Sequence, residues 1–162
     1  MKKKILTIEQ ARALGQEWRE SGRKLVFTNG CFDLLHAGHV RYLQAARALG
    51  DALLVAINGD ESVRELKGEG RPLNRAEDRA EVIAALECVD QVVIFPEVRA
   101  TQLLEIVRPA IYVKGGDYTA ASLHADERAA LARIGTEIRI LPFEAGHSTS
   151  GLLTKIKQHG GG

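Results

Sequence analysis

Cysteine, proline and aromatic residues are scarce in this sequence, and its charges of opposite sign nearly cancel. The two cysteines lie far apart in sequence and do not form a disulfide framework, which suits a reducing, cytoplasmic location. The formal net charge of +1 gives no electrostatic argument for binding to DNA, RNA or a membrane surface. We therefore expect neither a nucleic-acid partner nor a membrane partner.

Long hydrophobic runs are also missing. The longest apolar run, 52–57, is far too short to cross a bilayer, and no apolar segment follows the basic start, so we expect no signal peptide. No internal repeat, low-complexity stretch or linker divides the 162 residues. We expect one domain over 1–159, with an N-terminal helix at about 7–21, a core at about 24–157 and a flexible glycine tail at 160–162.

Five short apolar runs, each bounded by turn-forming residues, predict buried strands. Segments with helical spacing of apolar residues separate them, which is typical of repeated βα units. The pattern predicts an α/β fold of three layers, α/β/α and Rossmann-like, around a mainly parallel sheet of about five strands. The predicted strands are 25–28, 52–57, 91–95, 110–113 and 137–141.

The stretch from residue 25 to residue 39 carries the strongest functional signal. A buried strand ends at Asn29-Gly30, and His36-Ala37-Gly38-His39 then opens an amphipathic helix. Free N–H groups and the dipole make a helix N-terminus favourable for phosphate. The two histidines lie one turn apart near that end, and Gly38 leaves room for a phosphate to approach the backbone.

A single histidine at the start of a helix is usually a cap or a surface residue. The pair, with glycine between and a strand before, favours a functional site. A zinc site is a weaker interpretation, because zinc needs three or four protein ligands and neither Cys31 nor Cys88 has suitable spacing. We therefore predict no metal site formed by protein side chains, and Cys31 is either a small buried residue or part of a phosphate loop.

Polar residues follow a second strand in the same way. Since strand, helix and strand form a βαβ unit, Asn58 and Asp60 should share an edge of the sheet with Asn29 and His36. Asp60 has two open interpretations, a helix N-cap and a ligand of substrate hydroxyls, and the two can coexist.

Three further segments contain candidate anion contacts. The glycine-rich, charged stretch 64–72 predicts a mobile loop whose Lys67 and Arg71 either close on polyphosphate or are solvated. It fits neither a dinucleotide fingerprint nor a P-loop. Lys114-Gly115-Gly116-Asp117 follows a strand and suits close backbone contact with a ligand, although a simple turn is common there. Gly146 and Ser148-Thr149 precede a helix, either as caps or as a second anion site.

The segment from Gly30 to His39 resembles the signature of the H-x-G-H nucleotidyltransferases, which include cytidylyltransferases, pantetheine-phosphate adenylyltransferase and class I aminoacyl-tRNA synthetases. Within that superfamily the chain most resembles the D-glycero-β-D-manno-heptose 1-phosphate adenylyltransferases. The narrower resemblance is carried by 67–74 and by the K-G-G-D-Y segment at 114–118. The stretch 142–147 lacks the arginine that cytidylyltransferases have before their Ser-Thr motif, which argues against that activity.

The resemblance implies a reaction, and it implies roles for residues. ATP and heptose 1-phosphate would give ADP-heptose, a lipopolysaccharide precursor, and pyrophosphate, with Mg²⁺ held mainly by the ATP phosphates. The implied catalytic residues are His36, His39, Lys67 and Arg79. Implied nucleotide contacts are Asn29, Gly30, Cys31, Phe32, His36, Gly38, His39, Lys114, Gly115, Gly116, Asp117, Gly146, Ser148 and Thr149, and implied sugar-phosphate contacts are Asp33, Asn58, Asp60 and Arg71.

The sequence leaves two rival functions open. One is a cytidylyltransferase that acts on glycerol 3-phosphate or another small phosphate ester, and the other is a nucleotide-binding sensor without turnover. Some heptose enzymes are fused to a sugar kinase, and the length of this chain leads us to expect that a separate kinase supplies the sugar 1-phosphate. Formation of homo-oligomers is also left open by the sequence.

Overall fold

A parallel sheet of six strands forms the centre of the molecule. The computed structural model describes residues 4–116, 123–142 and 156. All strand pairs within these ranges are parallel, in the order β1-β4-β3-β2-β5-β6. The strands are β1 Ile5–Leu6, β2 Leu25–Gly30, β3 Ala52–Asn58, β4 Gln91–Phe95, β5 Ile111–Gly115 and β6 Glu137–Leu141.

Strand β2 lies in the middle of the sheet, where its Phe27 pairs with Leu54 on one side and Tyr112 on the other. The five strands that the apolar runs predict are confirmed. The sixth, β1, is a two-residue edge strand whose Ile5 pairs with Val92. Two residues are too few to show a strand periodicity, and for this reason the sequence did not predict β1.

Six helices cover both faces of the sheet within the described ranges. Alternate residues of β2 point to opposite faces, so Phe27 packs with α1, α5 and α6 while Val26 packs with α2 and α4. The three-layer Rossmann-like fold is therefore confirmed. The helices are α1 Ile8–Glu20, α2 Ala37–Arg47, α3 Asp60–Lys67, α4 Ala76–Ala84, α5 Thr101–Val107 and α6 Ala125–Ile134.

Helices α3 and α4 differ from the sequence prediction. Arg64 and Lys67 form the last turn of α3 instead of belonging to a mobile loop. Acidic residues in its first turn and basic residues in its last turn match the helix dipole, and this stabilises a short helix. The sequence also predicts a helix that Asn74 caps and that runs to about Glu87, but α4 has Arg75 as its cap residue and ends at Ala84. Gly59, not Asp60, is the cap residue of α3.

The strand order creates a crevice at one edge of the sheet. The chain runs from β2 outward through β3 to β4, and then returns to place β5 on the other side of β2. Ligands of such sheets bind at the carboxyl ends of the strands, where the order reverses. In the described part of the chain, every helix is too short or too polar to cross a membrane.

Candidate active site

An open cavity of about 530 Å³ lies at this reversal point, and its size suits a small-molecule substrate. Most of the sequence-predicted residues in the described ranges border this cavity, whereas five do not, namely His36, Gly38, Asp60, Arg79 and Gly116. The end of β2 contributes 29–33 and α2 contributes His39, while Asn58 ends β3. The remaining predicted residues of the wall are Lys67, Arg71, Lys114 and Gly115. Asp117, Gly146, Ser148 and Thr149 lie outside the described residues, so their predicted roles remain predictions.

The two histidines form a stacked pair at the start of α2. His36 is the N-cap residue, and its ring lies 3.9 Å from that of His39, with 29° between the ring planes. The backbone N–H of His36 donates to Nδ1 of His39 over 3.4 Å. Phe32 contacts the His39 ring edge-on, and Gly38 is buried between the histidines. The loop and the first turn of the helix therefore fix the orientation of the His39 ring.

His39 is neutral at physiological pH. Burial, together with the neighbouring His36, lowers the pKa of His39 from 6.5 to about 4. Because Nδ1 accepts the backbone N–H, the neutral ring carries its hydrogen on Nε2. His39 is thus a neutral N–H donor at the cavity wall, in a place that suits a developing negative charge.

Asp33 anchors a neighbouring loop. Its side chain is only 1% exposed and accepts hydrogen bonds from Nε of Arg71 and from the backbone N–H groups of Leu73 and Asn74. Burial alone would raise the pKa of Asp33, but these donors outweigh it and lower the pKa below 3.8. The carboxylate is ionised and already bonded to protein, which does not fit the direct sugar-phosphate contact that the resemblance implies.

Arg79 is buried and bonded to protein as well. Its Nε donates to the carbonyl oxygen of Asn74 over 2.9 Å, and its Nη1 donates to those of Cys31 and Asn58, both over 2.8 Å. Nη2 donates to Oδ1 of Asp60 over 2.8 Å. Four of the five N–H groups of the guanidinium are therefore used, and Arg79 is absent from the cavity wall. This geometry favours a role in positioning loops over the predicted contact with nucleotide phosphates.

Asn58 and Asp60 are also held by protein. The amide of Asn58 donates to the carbonyl oxygens of Glu97 and Val98, over 3.3 and 3.1 Å, although the residue still borders the cavity. Asp60 accepts from the backbone N–H of Ala76, in addition to Arg79, and does not border the cavity. The predicted contact of Asp60 with sugar hydroxyls is therefore not supported by its position.

Three cationic side chains among the predicted residues border the cavity, namely Lys67, Arg71 and Lys114. Burial raises the pKa of the Cys31 thiol and outweighs the lowering effect of Lys67, Arg79 and Arg71, so the thiol stays protonated at neutral pH. No group of three or more His, Cys, Asp or Glu side chains in the described ranges could hold a metal ion. The site is therefore built from cationic and N–H donors, and these suit phosphate.

Comparison with known protein families gives one match that covers most of the chain. The model of the family described as cytidylyltransferase-like matches residues 27–153. The chain belongs to the cytidylyltransferase-like family. Family membership makes it a nucleotidyltransferase, and the matched range begins in β2 and includes the stacked histidines and the cavity wall.

Curated relatives of this cytidylyltransferase-like chain carry the name bifunctional protein HldE. The protein from Wolinella succinogenes is 46% identical over 154 residues, which cover 95% of this chain and 31% of the relative. The protein from Geobacter sulfurreducens is 48% identical over 138 residues, or 85% of this chain and 28% of the relative. The chain thus spans about a third of the length of these relatives.

Solved structures resemble the cytidylyltransferase-like fold. The lipopolysaccharide core biosynthesis protein from Thermoplasma volcanium has a TM-score of 0.63 and 27% identity, over 76% of this chain and 98% of that protein. Pantoate–β-alanine ligase from Francisella tularensis has a TM-score of 0.60 and 16% identity, over 90% of this chain and 68% of that protein. The second likeness concerns the fold alone.

Several residues of the cavity wall were not predicted from the cytidylyltransferase-like motifs. Glu127 is the most unexpected, because it is 4% exposed and accepts a hydrogen bond from the hydroxyl of Tyr112, which also contacts Asn29. In the sequence Glu127 looks like an ordinary charge in a helix, and no local signal places it at a cavity. The others are Tyr42, Leu66, Val98, Arg99, Leu123 and His124.

Proposed function

We propose that this protein transfers AMP from ATP to D-glycero-β-D-manno-heptose 1-phosphate, which produces ADP-heptose and pyrophosphate. The observation that carries the proposal is the 46% identity to a bifunctional HldE over 95% of the chain. The K-G-G-D-Y segment that begins at Lys114 adds the likeness to heptose adenylyltransferases. The similarity to a lipopolysaccharide core biosynthesis protein points to the same pathway.

The geometry of the site suits phosphoryl chemistry without a general base. The second pKa of a phosphate ester is about 6, so an oxygen of the sugar phosphate is largely ionised at neutral pH and can attack the α-phosphorus in line. The protein must then position the two substrates and stabilise charge on the equatorial and leaving oxygens. His39, Lys67 and Arg71 border the cavity with the donors that this task needs.

The two substrates are proposed to occupy different sides of the cavity. Lys114 and Gly115, at the end of β5, would contact the nucleotide, and the end of β3 at Asn58 would lie near the sugar phosphate. Gly116, with a φ of 96°, exposes backbone beside them. Asp117, Gly146, Ser148 and Thr149 are proposed to complete the nucleotide side.

Magnesium is proposed to enter with ATP as its complex. Oxygen ligands of the triphosphate and water suit Mg²⁺, which dehydrates reluctantly and is commonly held by substrate phosphates. The described residues present donors of hydrogen bonds at the cavity and no carboxylate cluster that would bind the ion by itself. When bound, the ion would neutralise charge on the phosphates, and His39 and Lys67 would orient them. A sugar kinase activity is proposed to supply the acceptor.

The proposal is tested by incubating the purified protein with ATP, Mg²⁺ and a panel of acceptors. The panel contains heptose 1-phosphate, mannose 1-phosphate, glucose 1-phosphate and glycerol 3-phosphate, and pyrophosphate release and product mass are measured. We expect the highest kcat/KM with heptose 1-phosphate, and a product with the mass of ADP-heptose. Equal or faster turnover of glycerol 3-phosphate would favour the rival transferase, and ATP binding without any pyrophosphate release would favour the sensor.

A further inference from the structure

The loop between α3 and α4, residues 68–75, borders the cavity and is held by hydrogen bonds to a single side chain, that of Asp33. Gly68 and Gly70 have φ values of 94° and 86°, which side chains other than glycine rarely adopt, so the backbone turns twice within three residues. Directly after these turns, Arg71, Leu73 and Asn74 all bond to Asp33 on the loop that follows β2. Asp33 therefore joins two loops that border the same cavity.

The contacts on Asp33 occupy most of its capacity as an acceptor. Three N–H groups reach the carboxylate, over 2.9 Å from Arg71, 2.7 Å from Leu73 and 2.9 Å from Asn74. The side-chain amide of Asn74 also donates to the backbone oxygen of Asp33, over 2.8 Å. An ionised carboxylate offers about four lone-pair positions, so little remains for a substrate.

The bond to Asp33 leaves the outer edge of the Arg71 guanidinium available. Only Nε of Arg71 contacts Asp33, and within the described ranges no protein acceptor lies within hydrogen-bonding distance of Nη1 or Nη2. The Arg71 side chain is 17% exposed and borders the cavity with Lys67. Two parallel N–H groups on a fixed guanidinium plane suit a bidentate contact with phosphate.

We propose that Asp33 is a positioning residue, which acts through Arg71. Its carboxylate fixes the guanidinium plane so that Nη1 and Nη2 face the cavity and bind a phosphate group of one substrate. Asp33 itself touches neither substrate, since its carboxylate would repel phosphate and is already bonded to protein. The proposal rests on the cavity being the substrate site of the proposed function, and it replaces the direct sugar-phosphate contact of Asp33.

A double-mutant cycle on Asp33 and Arg71 tests this role. Asp33→Asn keeps the shape of the side chain but places an amide N–H group against N–H donors. Arg71→Ala removes the guanidinium and its Nη1 and Nη2 donors. Dissociation constants of the protein for MgATP and for heptose 1-phosphate are measured by titration calorimetry. We expect each single substitution to raise the dissociation constant of one of the two ligands on the order of 10- to 100-fold, which is the range that the loss of a charge-assisted hydrogen bond produces.

The double variant separates positioning from a purely structural role. If Asp33 acts through Arg71, then Asp33→Asn raises the dissociation constant less than about threefold in the Arg71→Ala background, because the guanidinium that Asp33 would position is already absent. A structural role would instead lower the unfolding temperature and weaken binding equally in both backgrounds. Arg71→Lys keeps the charge but loses the paired donors of the guanidinium, so its dissociation constants should resemble those of Arg71→Ala. This variant should fold even if Asp33→Asn does not.

A matched control pair makes the outcome decisive. The exposed ion pair of Glu61 and Arg64 on α3, with N···O of 2.8 Å, is the matched pair, and Glu61→Gln with Arg64→Ala should leave both dissociation constants unchanged. The ligand whose dissociation constant rises identifies the substrate whose phosphate Arg71 binds. If the wild-type protein binds ATP but not heptose 1-phosphate, the proposed function fails and the ATP cycle alone decides the role of Asp33. Independent effects on every ligand that the wild-type protein binds would overturn the inference.

Discussion

His39 shows how burial sets the chemistry of a single residue. Its ring lies between Phe32 and the ring of His36, and the pKa of about 4 keeps it neutral at the pH of a cell. A neutral imidazole with its hydrogen on Nε2 donates one directed hydrogen bond and has no full charge to be repelled by Lys67 or Arg71. Its contribution should grow as negative charge develops on the phosphate oxygens.

We expect His39→Ala to lower kcat far more than it raises the KM for ATP. The charge that His39 contacts develops mainly in the transition state, so the ground state loses little. One lost donor should cost on the order of 10²- to 10³-fold in kcat. Steady-state kinetics of pyrophosphate release give both constants, with the dissociation constant for ATP as the control for folding and binding. A near-normal kcat would contradict the role.

The same residue should make stability depend on pH. The unfolded state binds a proton on His39 at a pKa near 6.5 and the folded state only near 4, so the free energy of unfolding falls as pH drops through this window. Between pH 7 and pH 4.5, we expect the free energy of unfolding of the wild-type protein to fall by about 1–3 kcal/mol more than that of His39→Gln. Asp33 contributes mainly at lower pH, because its carboxylate begins to bind protons in the unfolded state only as the pH approaches the ordinary pKa of 3.8, and its pKa in the folded state is lower.

Urea unfolding of the wild-type protein and of His39→Gln at half-unit steps of pH gives the comparison. Between pH 7.5 and pH 8.5 His39 is neutral in both states, so the two curves should run parallel there and serve as the internal control. Identical slopes of the two proteins between pH 6.5 and pH 4.5 would show that His39 titrates normally.

At the scale of elements, Arg79 joins segments that are separate in sequence. Through one guanidinium it connects Cys31 after β2, Asn58 at the end of β3, Asp60 at the start of α3 and the segment before α4. All of these border or support the cavity, so α4 holds its rim through Arg79. Its absence from the cavity wall is a consequence of this burial.

We expect Arg79→Met to lower the free energy of unfolding by about 3–5 kcal/mol, because it leaves Asp60 and three carbonyl oxygens without their donor. Arg79→Lys should recover only part of this, since an ammonium cannot reach four acceptors in a plane. Chemical unfolding measures both, and Arg75→Lys, whose exposed side chain lies one turn earlier, is the matched control. Full stability of Arg79→Lys with a large loss of activity would restore the predicted direct contact with phosphate.

The strands and the histidine pair could be predicted because their signals are local. A run such as 52–57 is apolar at every position since both faces of β3 are covered, and the turn residues after it mark the edge where ligands bind. The partners of Asp33 and Arg79 could not be predicted in this way. They lie 38 to 41 and 5 to 48 positions away in the chain, respectively, and only the packing of the loops brings them together.

Helix α3 and Glu127 were missed for different reasons. The glycines and proline of 64–72 predict a loop, but the charges of α3 match its dipole and extend the helix as far as Lys67. Glu127 lies on α6 among other charged residues, and its buried position follows from the docking of α6 beside β5, where Tyr112 meets it. The charges of α3 are visible in the sequence, but the glycines and proline beside them favour a loop, whereas the burial of Glu127 has no local signature.

At the scale of the whole molecule, the order of the strands determines where the cavity lies. Because β2 lies between β3 and β5, the residues that end these three strands meet around one cavity, although they lie far apart in the sequence. The helix that opens with the histidine pair starts from the same edge. The fold thus brings the ends of three strands to one cavity, and we propose that backbone groups along it select the nucleotide.

We expect discrimination between bases to come from hydrogen bonds to the polar edge of the base. Backbone groups near Gly115 and Gly116, or in the segment before Ser148, are the proposed partners. A site built to pair one base rejects another strongly, because its own buried groups would then be left unpaired. The difference in kcat/KM between ATP and CTP should therefore be on the order of 10²-fold or more.

The most direct test of the adenylyltransferase assignment is pyrophosphate release with heptose 1-phosphate and each of ATP, CTP, GTP and UTP in turn. Saturating acceptor and equal Mg²⁺ in every reaction leave the base as the only variable. The account predicts efficient turnover with ATP alone, with ADP-heptose as the product. If CTP were used as well as ATP or better, the assignment would be contradicted and the cytidylyltransferase alternative would replace it.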